Sequence, residues 1–351
     1  MSELILSVGH ERFILKHMYH QENLERLGLK IHFIVRKLRP TGITDLKTNY
    51  QNITFVTPSF WKLLFATYTK LYKQRPKFIE IYETGRLTLA YFLLGRLFRC
   101  TTVLVLRGQE FEKKRSFFYS LSFFFVLRKI DKVVCKEQNL FHQAMKHRSQ
   151  NVYLIGNSVR LPKGQVSKNS KRNIDILYLN YIRKERELVY FFEALKNENV
   201  KDLNLKIVMV GFSPENPIDT KYEEQVLKWI WEASSNGVDI DFVNFTNEPL
   251  GFFQDAKVFI FPSPVIYANH SLLEAMGSGC VPIVTQGEGV EKIVNEKNGI
   301  SIENHVDEWV KALLTLFKKD SNLSQMSIEA QIKIEQQFSN NDWSCVYAVK
   351  D

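Results

Sequence analysis

The feature that most constrains the fold of this chain is the regular alternation of short apolar runs with longer amphipathic segments. Apolar runs of strand length that alternate with helix-length segments are typical of a mostly parallel sheet with helical crossovers. The predicted strands lie at 3–9, 30–37, 53–58, 77–83, 101–108, 132–136, 152–157, 174–180, 205–211, 240–245, 257–263, 280–285 and 299–303. A polar stretch at 161–173 interrupts the alternation and is a plausible linker. The pattern therefore predicts two doubly wound α/β units in tandem.

Charge is divided unequally between the two halves. Residues 1–158 contain 26 Lys and Arg against 11 Asp and Glu, whereas the rest of the chain contains 21 against 27. A basic half next to a mildly acidic half indicates that the two meet different partners. Within the first half, a helix is predicted over 12–28, with Gly28 as its C-terminal cap.

Composition argues against several classes of protein. The four cysteines are widely spaced, without a CxxC pair or a Cys/His cluster, which argues against a zinc site or a disulfide scaffold. The longest apolar run, at 116–127, is shorter than the ~18 to 20 residues that a transmembrane helix needs. The opening residues, MSELILSVGH, include an acid and lack the pattern of a secretory signal. We therefore expect a cytoplasmic protein with reduced thiols and no metal site.

The stretch 263–302, which begins SPVIYANHSLLEAMGSGCVPIV, resembles the C-terminal signature of retaining glycosyltransferase family 4, the glycosyl transferases group 1, which have the GT-B fold. The matching residues are Ser263, Glu274, Ala275, Met276, Gly279, Pro282, Gly287, Asn298 and Gly299. The similarity covers most of the chain and is strongest over 174–302. It implies two Rossmann-like doubly wound domains that face each other across a cleft. The implied domains are a basic acceptor-side domain at 1–158, a nucleotide-sugar donor domain at 159–335, and a segment at 336–351 that crosses back to the first domain.

The resemblance places the donor at the helix that contains the EAM sequence. Glu274 matches the family glutamate that binds the donor ribose. Asn269, His270 and Ser271 would then lie at the phosphates, because the start of a helix offers unpaired backbone N–H groups to anions. The alternative for Glu274 is a solvated acid on a helix surface.

Four positions near the donor depart from the family pattern, and at one of them Asn180 replaces a glycine. Ile266 stands where the family has the first glutamate of a Glu-x7-Glu pair, which contacts the transferred sugar. Tyr181 replaces an arginine and Arg186 replaces a lysine. Arg186 retains a cation for the diphosphate, or is simply a solvated residue, whereas Tyr181 can only hydrogen-bond. By the same alignment, the base of the donor lies near Phe245 and Thr246.

The first half contains four further candidate residues. Gly9 follows the first predicted strand and would let a donor or acceptor approach the backbone closely. His10 is a candidate catalytic residue, or else a solvent-exposed histidine at the start of a helix. The segment LVLRGQEFE resembles the family segment near the reaction centre, with Arg107 in the position of a histidine. Arg107 and Glu110 are therefore candidates to hold acceptor hydroxyls or donor charge, or they form a structural ion pair with each other.

Two segments of the basic half, 60–77 and 113–129, combine aromatic residues and cations. Basic amphipathic segments with aromatic residues are typical of helices that lie on an anionic membrane surface. The alternative is that the apolar side of each segment packs on the sheet as a crossover helix, and part of each segment must do so. Such packing does not explain why both segments contain so few acidic residues. No nucleic-acid-binding motif accompanies them. We therefore predict contact with an anionic membrane and no nucleic-acid partner.

Together these features predict a glycosyltransferase, and the resemblance implies that it retains the anomeric configuration and needs no metal. It would move a sugar from a nucleotide-sugar, UDP- or GDP-linked, to a saccharide or lipid-linked saccharide acceptor, and the donor substrate would be its only small-molecule requirement. It would act at the inner face of the membrane in surface polysaccharide biosynthesis. Two alternatives remain. One is a non-catalytic GT-B scaffold or partner of an active glycosyltransferase, and the other is a nucleotide-sugar epimerase or hydrolase.

Overall fold

The computed structural model describes residues 3–10, 15–36, 52–108, 110–111, 116–157, 159, 172–213, 219–246, 248–263, 269–287, 289–318, 322–338 and 343–347. Most of the polar stretch at 161–173, Ile266 and the cations at 113–115 lie outside these residues. The chain divides into two compact units, one formed by 1–158 together with 340–351 and the other by 159–339.

The first unit is built on a seven-stranded sheet in which all neighbouring strands are parallel. Its strands are β1 (Leu4–His10), β2 (Lys30–Arg36), β3 (Ile53–Val56), β4 (Phe78–Ile81), β5 (Thr101–Leu106), β6 (Lys132–Cys135) and β7 (Val152–Leu154). Its helices include α1 (Leu15–Arg26), α2 (Phe60–Gln74), α3 (Thr88–Leu97), α4 (Phe117–Lys129) and α5 (Gln138–His147). The strand order is β3-β2-β1-β4-β5-β6-β7, so the winding direction reverses between β1 and β4.

The second unit has a six-stranded parallel sheet in the order β10-β9-β8-β11-β12-β13, which reverses between β8 and β11. Its strands are β8 (Ile174–Leu179), β9 (Lys206–Phe212), β10 (Asp239–Asn244), β11 (Ala256–Phe261), β12 (Val281–Thr285) and β13 (Ile300–Ile302). Its helices are α6 (Val189–Ala194), α7 (Glu198–Lys201), α8 (Thr220–Ser235), α9 (Leu250–Asp255), α10 (His270–Gly277), α11 (Val290–Ile293), α12 (Val306–Phe317) and α13 (Leu323–Phe338), with a 3-10 turn at Lys184–Arg186. Among the helices that the structure describes, none combines the length and hydropathy of a membrane span.

Both sheets are covered on their two faces, which explains why their strands are apolar without alternation. Every residue from Val103 to Leu106 in β5 is completely buried, as are Phe259, Ile260 and Phe261 in β11. Each predicted strand is present. Several end earlier than predicted because polar or proline residues follow their apolar cores.

Helix α1 ends in the cap that Gly28 predicts. Gly28 has a φ of +74°, in the left-handed region that favours glycine. Its N–H donates to the Glu25 carbonyl at 2.9 Å, and the Leu29 N–H donates to the Leu24 carbonyl at 3.0 Å. These two bonds form a Schellman motif, so the predicted C-terminal cap is confirmed.

The C-terminal segment packs on the first unit. Trp343 and helix α14 (Ser344–Tyr347) follow the second unit in sequence, but Trp343 and Tyr347 are buried against the first sheet. The Tyr347 ring lies 5.0 Å from that of Phe78 in β4, and the Lys136 amino group lies 4.5 Å from the Trp343 ring centroid. This segment and α1 contribute to the same hydrophobic cluster on one face of the sheet, whereas α2 to α5 contribute to the cluster on the other face.

Candidate functional site

Arg186 lies where the strand order of the second sheet reverses. It ends the 3-10 turn that follows β8, and its residue surface is 7% exposed. Its guanidinium donates to Ser263 Oγ, just after β11, at 2.6 Å and to Asn180 Oδ1, just after β8, at 3.4 Å. Open α/β sheets bind ligands outside the carboxyl ends of their strands at such a reversal. Arg186 therefore occupies the ligand position of this fold.

Arg186 is a buried cation, and its hydrogen-bonding and aromatic partners in the described part of the chain are uncharged. The ring of Phe261 lies 4.7 Å from its guanidinium carbon, and its Nε atom is buried without a hydrogen-bond partner among the described residues. Burial lowers the pKa of Arg186, although arginine stays protonated at neutral pH. The nearby, exposed Glu185 opposes this shift. A buried cation whose hydrogen-bonding partners are neutral is still costly, so this position favours an anionic ligand. The alternative of a solvated residue is wrong for Arg186.

Asn180, which accepts from Arg186, is held in place by a glycine. Gly211 in β9 has a φ of +130°, and a Cβ there would clash with the Asn180 carbonyl oxygen. The Asn180 Oδ1 atom also accepts from the N–H of Tyr181 at 2.9 Å. The close approach of two backbones thus fixes the amide oxygen that contacts Arg186.

The start of α10 is already capped by a side chain. Asn269 Oδ1 accepts from the N–H of Ser271 at 3.0 Å and from that of Leu272 at 3.3 Å. Asparagine is among the best N-cap residues because its short side chain reaches these groups. The backbone N–H of Ser271 is therefore already paired within the chain, and its role toward a phosphate stays a prediction. An anion there must displace the Asn269 side chain or bind beside it.

Removal of this cap is expected to destabilise the second unit. We expect Asn269→Ala to lower its free energy of unfolding by about 1 kcal/mol, the usual cost of losing an N-cap. Asn269→Ser should retain most of the stability because serine also caps helices. Urea denaturation at neutral pH measures both variants, and equal midpoints for the two would contradict a capping role.

Glu274 lies in the second turn of α10 and is half-buried. It is four residues after His270, which is also half-buried, so the two side chains lie on one face of the helix. The adjacent residues Leu273 and Ala275 are completely buried in the core. Glu274 is thus not a fully solvated acid, and its role toward a ribose stays a prediction.

Tyr181 stacks on a residue that the alignment places near the base. Its ring lies 5.4 Å from that of Phe245, with an angle of 10° between the two planes. Phe245 is 42% exposed, and its N–H donates to the Phe212 carbonyl at 2.7 Å. Thr246 follows it, and its hydroxyl accepts from the N–H of Glu248 at 3.0 Å. The structure therefore stacks Tyr181 on Phe245, the residue predicted to lie near the base.

Gly9 in the first unit is required by the chain's own packing. It has a φ of +87°, and a Cβ at this position would lie 2.5 Å from the backbone nitrogen of Glu83. The strand order of the first sheet reverses between β1 and β4, and Gly9 lets their carboxyl ends approach each other. The structure thus gives Gly9 a packing role next to Glu83, and its role toward a donor or acceptor stays a prediction.

His10 is buried in a hydrogen-bonded network and is 1% exposed. Its Nε2 atom lies 2.8 Å from Ser7 Oγ, and its Nδ1 atom lies 3.0 Å from His17 Nε2. Its ring centroid lies 4.4 Å from that of Tyr82. The alternative of a solvent-exposed histidine is wrong. A catalytic role would require His10 to exchange one of these partners for substrate.

The network that contains His10 is centred on Glu80, which is completely buried in β4. Its carboxylate accepts from Ser7 Oγ at 2.8 Å, from His20 Nε2 at 2.9 Å and from the Tyr347 hydroxyl. Burial alone would raise the pKa of Glu80, but the nearby His20 and the hydrogen bonds from His20, Tyr347 and Ser7 lower it below its ordinary value. Glu80 is therefore an ionised acid inside the first unit, and it joins β1, α1 and α14.

Glu110 and Arg107 do not pair with each other through their charged groups. The Glu110 carboxylate accepts from the backbone N–H groups of Arg107 at 2.9 Å and Gly108 at 2.7 Å. The Arg107 guanidinium instead donates to the Tyr82 carbonyl at 3.2 Å and lies 5.7 Å from the Tyr82 ring centroid. Glu110 is 7% exposed, whereas Arg107 is exposed. The proposed ion pair is wrong: Glu110 fixes the loop after β5, and Arg107 presents its charge at the sheet edge.

The Glu80 network does not follow from the motifs of the sequence. One signal was present, since Glu80 lies between isoleucines in a predicted strand and a buried acid requires partners. The partners of Glu80 come from three distant parts of the chain, β1, α1 and α14, so their convergence is a property of the fold. Within the described ranges, no group of three or more His, Cys, Asp or Glu is arranged to hold a metal ion.

A family model described as "Glycosyl transferases group 1" matches residues 162–333, which contain Arg186, Ser263 and α10. Residues 162–333 are thus similar to that family over slightly less than half of the chain. An uncharacterized glycosyltransferase of Haemophilus influenzae is 27% identical over 215 residues, a match that takes in 58% of this chain and 57% of that protein. The chain thus aligns with little more than half of this relative.

Solved structures resemble the chain over nearly its whole length. Anabaena Alr3699/HepE in complex with UDP-glucose has a TM-score of 0.77 at 13% identity and covers 99% of each chain. The pneumococcal O-GlcNAc transferase GtfA in complex with UDP and GlcNAc has a TM-score of 0.76 at 11% identity, with 100% of each chain covered. At such identities the likeness shows the fold alone. It confirms the predicted class, a GT-B fold with two Rossmann-like units.

Several residues of the glycosyl transferases group 1 signature serve the fold. A Cβ on Gly279, whose φ is +80°, would lie 2.7 Å from the buried Arg172 side chain. A Cβ on Gly299 would lie 2.6 Å from the Pro282 ring. Asn298 is 2% exposed and donates from its amide to the Ile293 carbonyl at 3.1 Å. These residues hold the strands and turns together, whereas Ser263 contacts Arg186 directly.

Proposed function

We propose that this chain is a glycosyltransferase whose second unit binds a nucleotide-sugar donor. The observation that carries the proposal is the buried Arg186, which bridges the ends of β8 and β11 within a glycosyl transferases group 1 domain. The diphosphate of a nucleotide-sugar would bring negative charge into direct hydrogen-bonding contact with this cation. The names of two similar structures, which hold UDP-glucose or UDP, favour a UDP-sugar over a GDP-sugar.

Arg186 would act on the leaving group. During transfer the bond between the anomeric carbon and the diphosphate breaks, a bond to the acceptor hydroxyl oxygen forms, and the hydroxyl proton leaves with the nucleoside diphosphate. Negative charge develops on the diphosphate, and a preorganised cation in a desolvated site stabilises it. We propose that the reaction retains the anomeric configuration, as in the family that the signature resembles, and that Arg186 supplies charge stabilisation without a metal ion.

The first unit would bind the acceptor. Arg107 is exposed at the carboxyl end of β5, where a ligand of this sheet is expected to bind. We propose a saccharide or lipid-linked saccharide of a surface polysaccharide as the acceptor. We also propose that the protein is cytoplasmic and acts at the inner face of the membrane. The excess of cations in residues 1–158 supports that location.

A non-catalytic scaffold is the second candidate function. The observation that favours it is Tyr181, which replaces a family arginine and stacks on Phe245. A scaffold would not release nucleoside diphosphate in the presence of any acceptor, whether or not it binds the donor. Product analysis with a panel of saccharide acceptors separates the scaffold from the transferase.

Donor binding is tested by isothermal titration with UDP-, GDP- and CMP-sugars. We expect one nucleotide class to bind, and we expect Glu274→Ala to weaken that binding at least tenfold because it removes a carboxylate predicted to hold both ribose hydroxyls. Glu232→Ala, which removes an exposed acid from α8, is the matched control and should bind as the wild type does. Absence of binding by every donor, or equal binding by Glu274→Ala, would count against the proposal.

A further inference from the structure

Helices α2, α3 and α4 present a continuous layer of large apolar side chains to solvent. The helices pack side by side, since Tyr68 of α2 lies 5.4 Å from Phe98 at the end of α3, and Phe92 of α3 lies 6.3 Å from Phe125 of α4. We name this surface the aromatic face. Its members are more than one-third exposed and are Phe60, Trp61, Phe65, Tyr68, Tyr72, Leu93, Leu97, Phe117, Phe118, Leu121 and Phe125.

The aromatic face is distinct from the sides of these helices that cover the sheet. The core-facing residues are Leu63, Thr67 and Leu71 in α2, Thr88, Tyr91, Phe92 and Gly95 in α3, and Phe123, Val126 and Leu127 in α4. Packing on the sheet therefore accounts for one side of each helix. The other side exposes 75% of Trp61, 72% of Phe65 and 75% of both Phe117 and Phe118. Exposed apolar surfaces of this extent mark interaction sites.

The helices that form the aromatic face also contain cations. None of the three helices contains an Asp or Glu. Cations lie on the same helices at Lys62, Lys70, Lys73, Arg128 and Lys129. Partial burial, followed by repulsion from Lys73, lowers the pKa of Lys70, which places these two cations close together. The partner of this face must therefore offer both an apolar interior and negative charge.

We propose that the aromatic face inserts into the interfacial layer of an anionic membrane, with α2, α3 and α4 lying in the plane of the surface. Aromatic rings would enter the boundary between headgroups and acyl chains, and the lysines would contact anionic headgroups. A second copy of the chain fits poorly, because an isologous contact would place one cation cluster against another. This inference rests on the proposed membrane location. It specifies which surface of the first unit contacts the membrane, how that surface inserts, and that α3 takes part. It does not depend on the donor site.

Flotation with vesicles tests the proposal. The purified chain is mixed with phosphatidylcholine vesicles, or with vesicles that also contain phosphatidylglycerol, and bound protein is measured. We expect binding to the anionic vesicles, with a blue shift of tryptophan fluorescence. Trp61→Gln combined with Phe65→Gln should weaken binding at least tenfold, because two exposed rings no longer enter the interface. Trp231→Gln is the matched control, since Trp231 is 68% exposed in the other unit and should not affect binding.

Three outcomes would overturn the proposal. They are absence of wild-type binding to anionic vesicles, equal binding by the doubly substituted chain, and a dimer in sedimentation experiments that the double substitution abolishes without affecting vesicle binding. Circular dichroism checks that the variants are folded, which is expected because both positions face solvent. Titration of the variants with the nucleotide-sugar keeps the tests separate: a chain that binds donor but not vesicles would refute the membrane surface and leave the donor site intact.

Discussion

Replacing Arg186 by methionine is expected to weaken nucleotide-sugar binding by at least about 30-fold and to leave the second unit as stable as before, or more stable. Within the described residues Arg186 contacts Ser263, Asn180 and Phe261, and none of these carries a charge. Methionine has a similar length and removes the cost of a desolvated cation. With donor bound, the same cation would contact a diphosphate, and loss of one member of such a buried pair costs about 2–5 kcal/mol.

This combination of effects separates a binding residue from a structural one. A purely structural arginine would lose stability when it is replaced, whereas a binding arginine would lose affinity alone. The measurements are isothermal titration with the nucleotide-sugar and urea denaturation of the free chain. Lys184→Met is the matched control, because Lys184 belongs to the same 3-10 turn and is exposed. Unchanged affinity in Arg186→Met would remove the main support for the donor site.

Arg186→Lys gives a graded version of the same test. Lysine keeps the charge but cannot donate to Ser263 and Asn180 from two guanidinium nitrogens at once. We expect affinity between those of the wild type and Arg186→Met. The position equivalent to Arg186 is a lysine in the family that the signature resembles. Donor binding by Arg186→Lys would therefore show that the positive charge matters more than the two-nitrogen geometry of the guanidinium.

The sequence predicts the strands well because both sheets are covered on two faces. Parallel strands that are buried on both sides contain few polar residues, so runs such as 101–108 and 257–263 stand out from the polar segments between them. The side of a helix that packs on the sheet is harder to predict when both sides are apolar. In α4, Phe123 is 2% exposed while Phe117 and Phe118 are 75% exposed, and nothing in the order of these phenylalanines separates them.

The candidate site was predictable in residue type but not in side-chain direction. The resemblance identifies Arg186 as the position of a phosphate-binding cation, and the structure shows that this residue is buried at the sheet reversal. By contrast, the Glu110 carboxylate bonds to backbone N–H groups and not to Arg107. Such a local choice depends on loop geometry, which spacing along the sequence does not specify.

Replacing Glu80 by leucine is expected to lower the stability of the first unit by about 3–5 kcal/mol, because it removes the acceptor of a buried charged network. Ser7, His20 and Tyr347 would then be left with unsatisfied polar groups in a site where Glu80 is completely buried. Tyr347→Phe removes one of these hydrogen bonds and should cost less. Glu25→Gln, which alters an exposed acid of α1, is the control and should be nearly neutral.

The same network makes the first unit sensitive to acid. The pKa of Glu80 is lower in the folded chain than its ordinary value of 4.5, so the unfolded chain binds this proton more readily than the folded one. The stabilisation is complete above about pH 4.5 and is lost as pH falls below it toward the folded pKa. Urea denaturation at a series of pH values from neutral down to the acid range should show this loss in the wild type and a shallower one in Glu80→Gln, because glutamine has no proton to bind. An equally steep loss in that variant would mean that other acids cause the acid sensitivity and that Glu80 is not the ionised centre of the network.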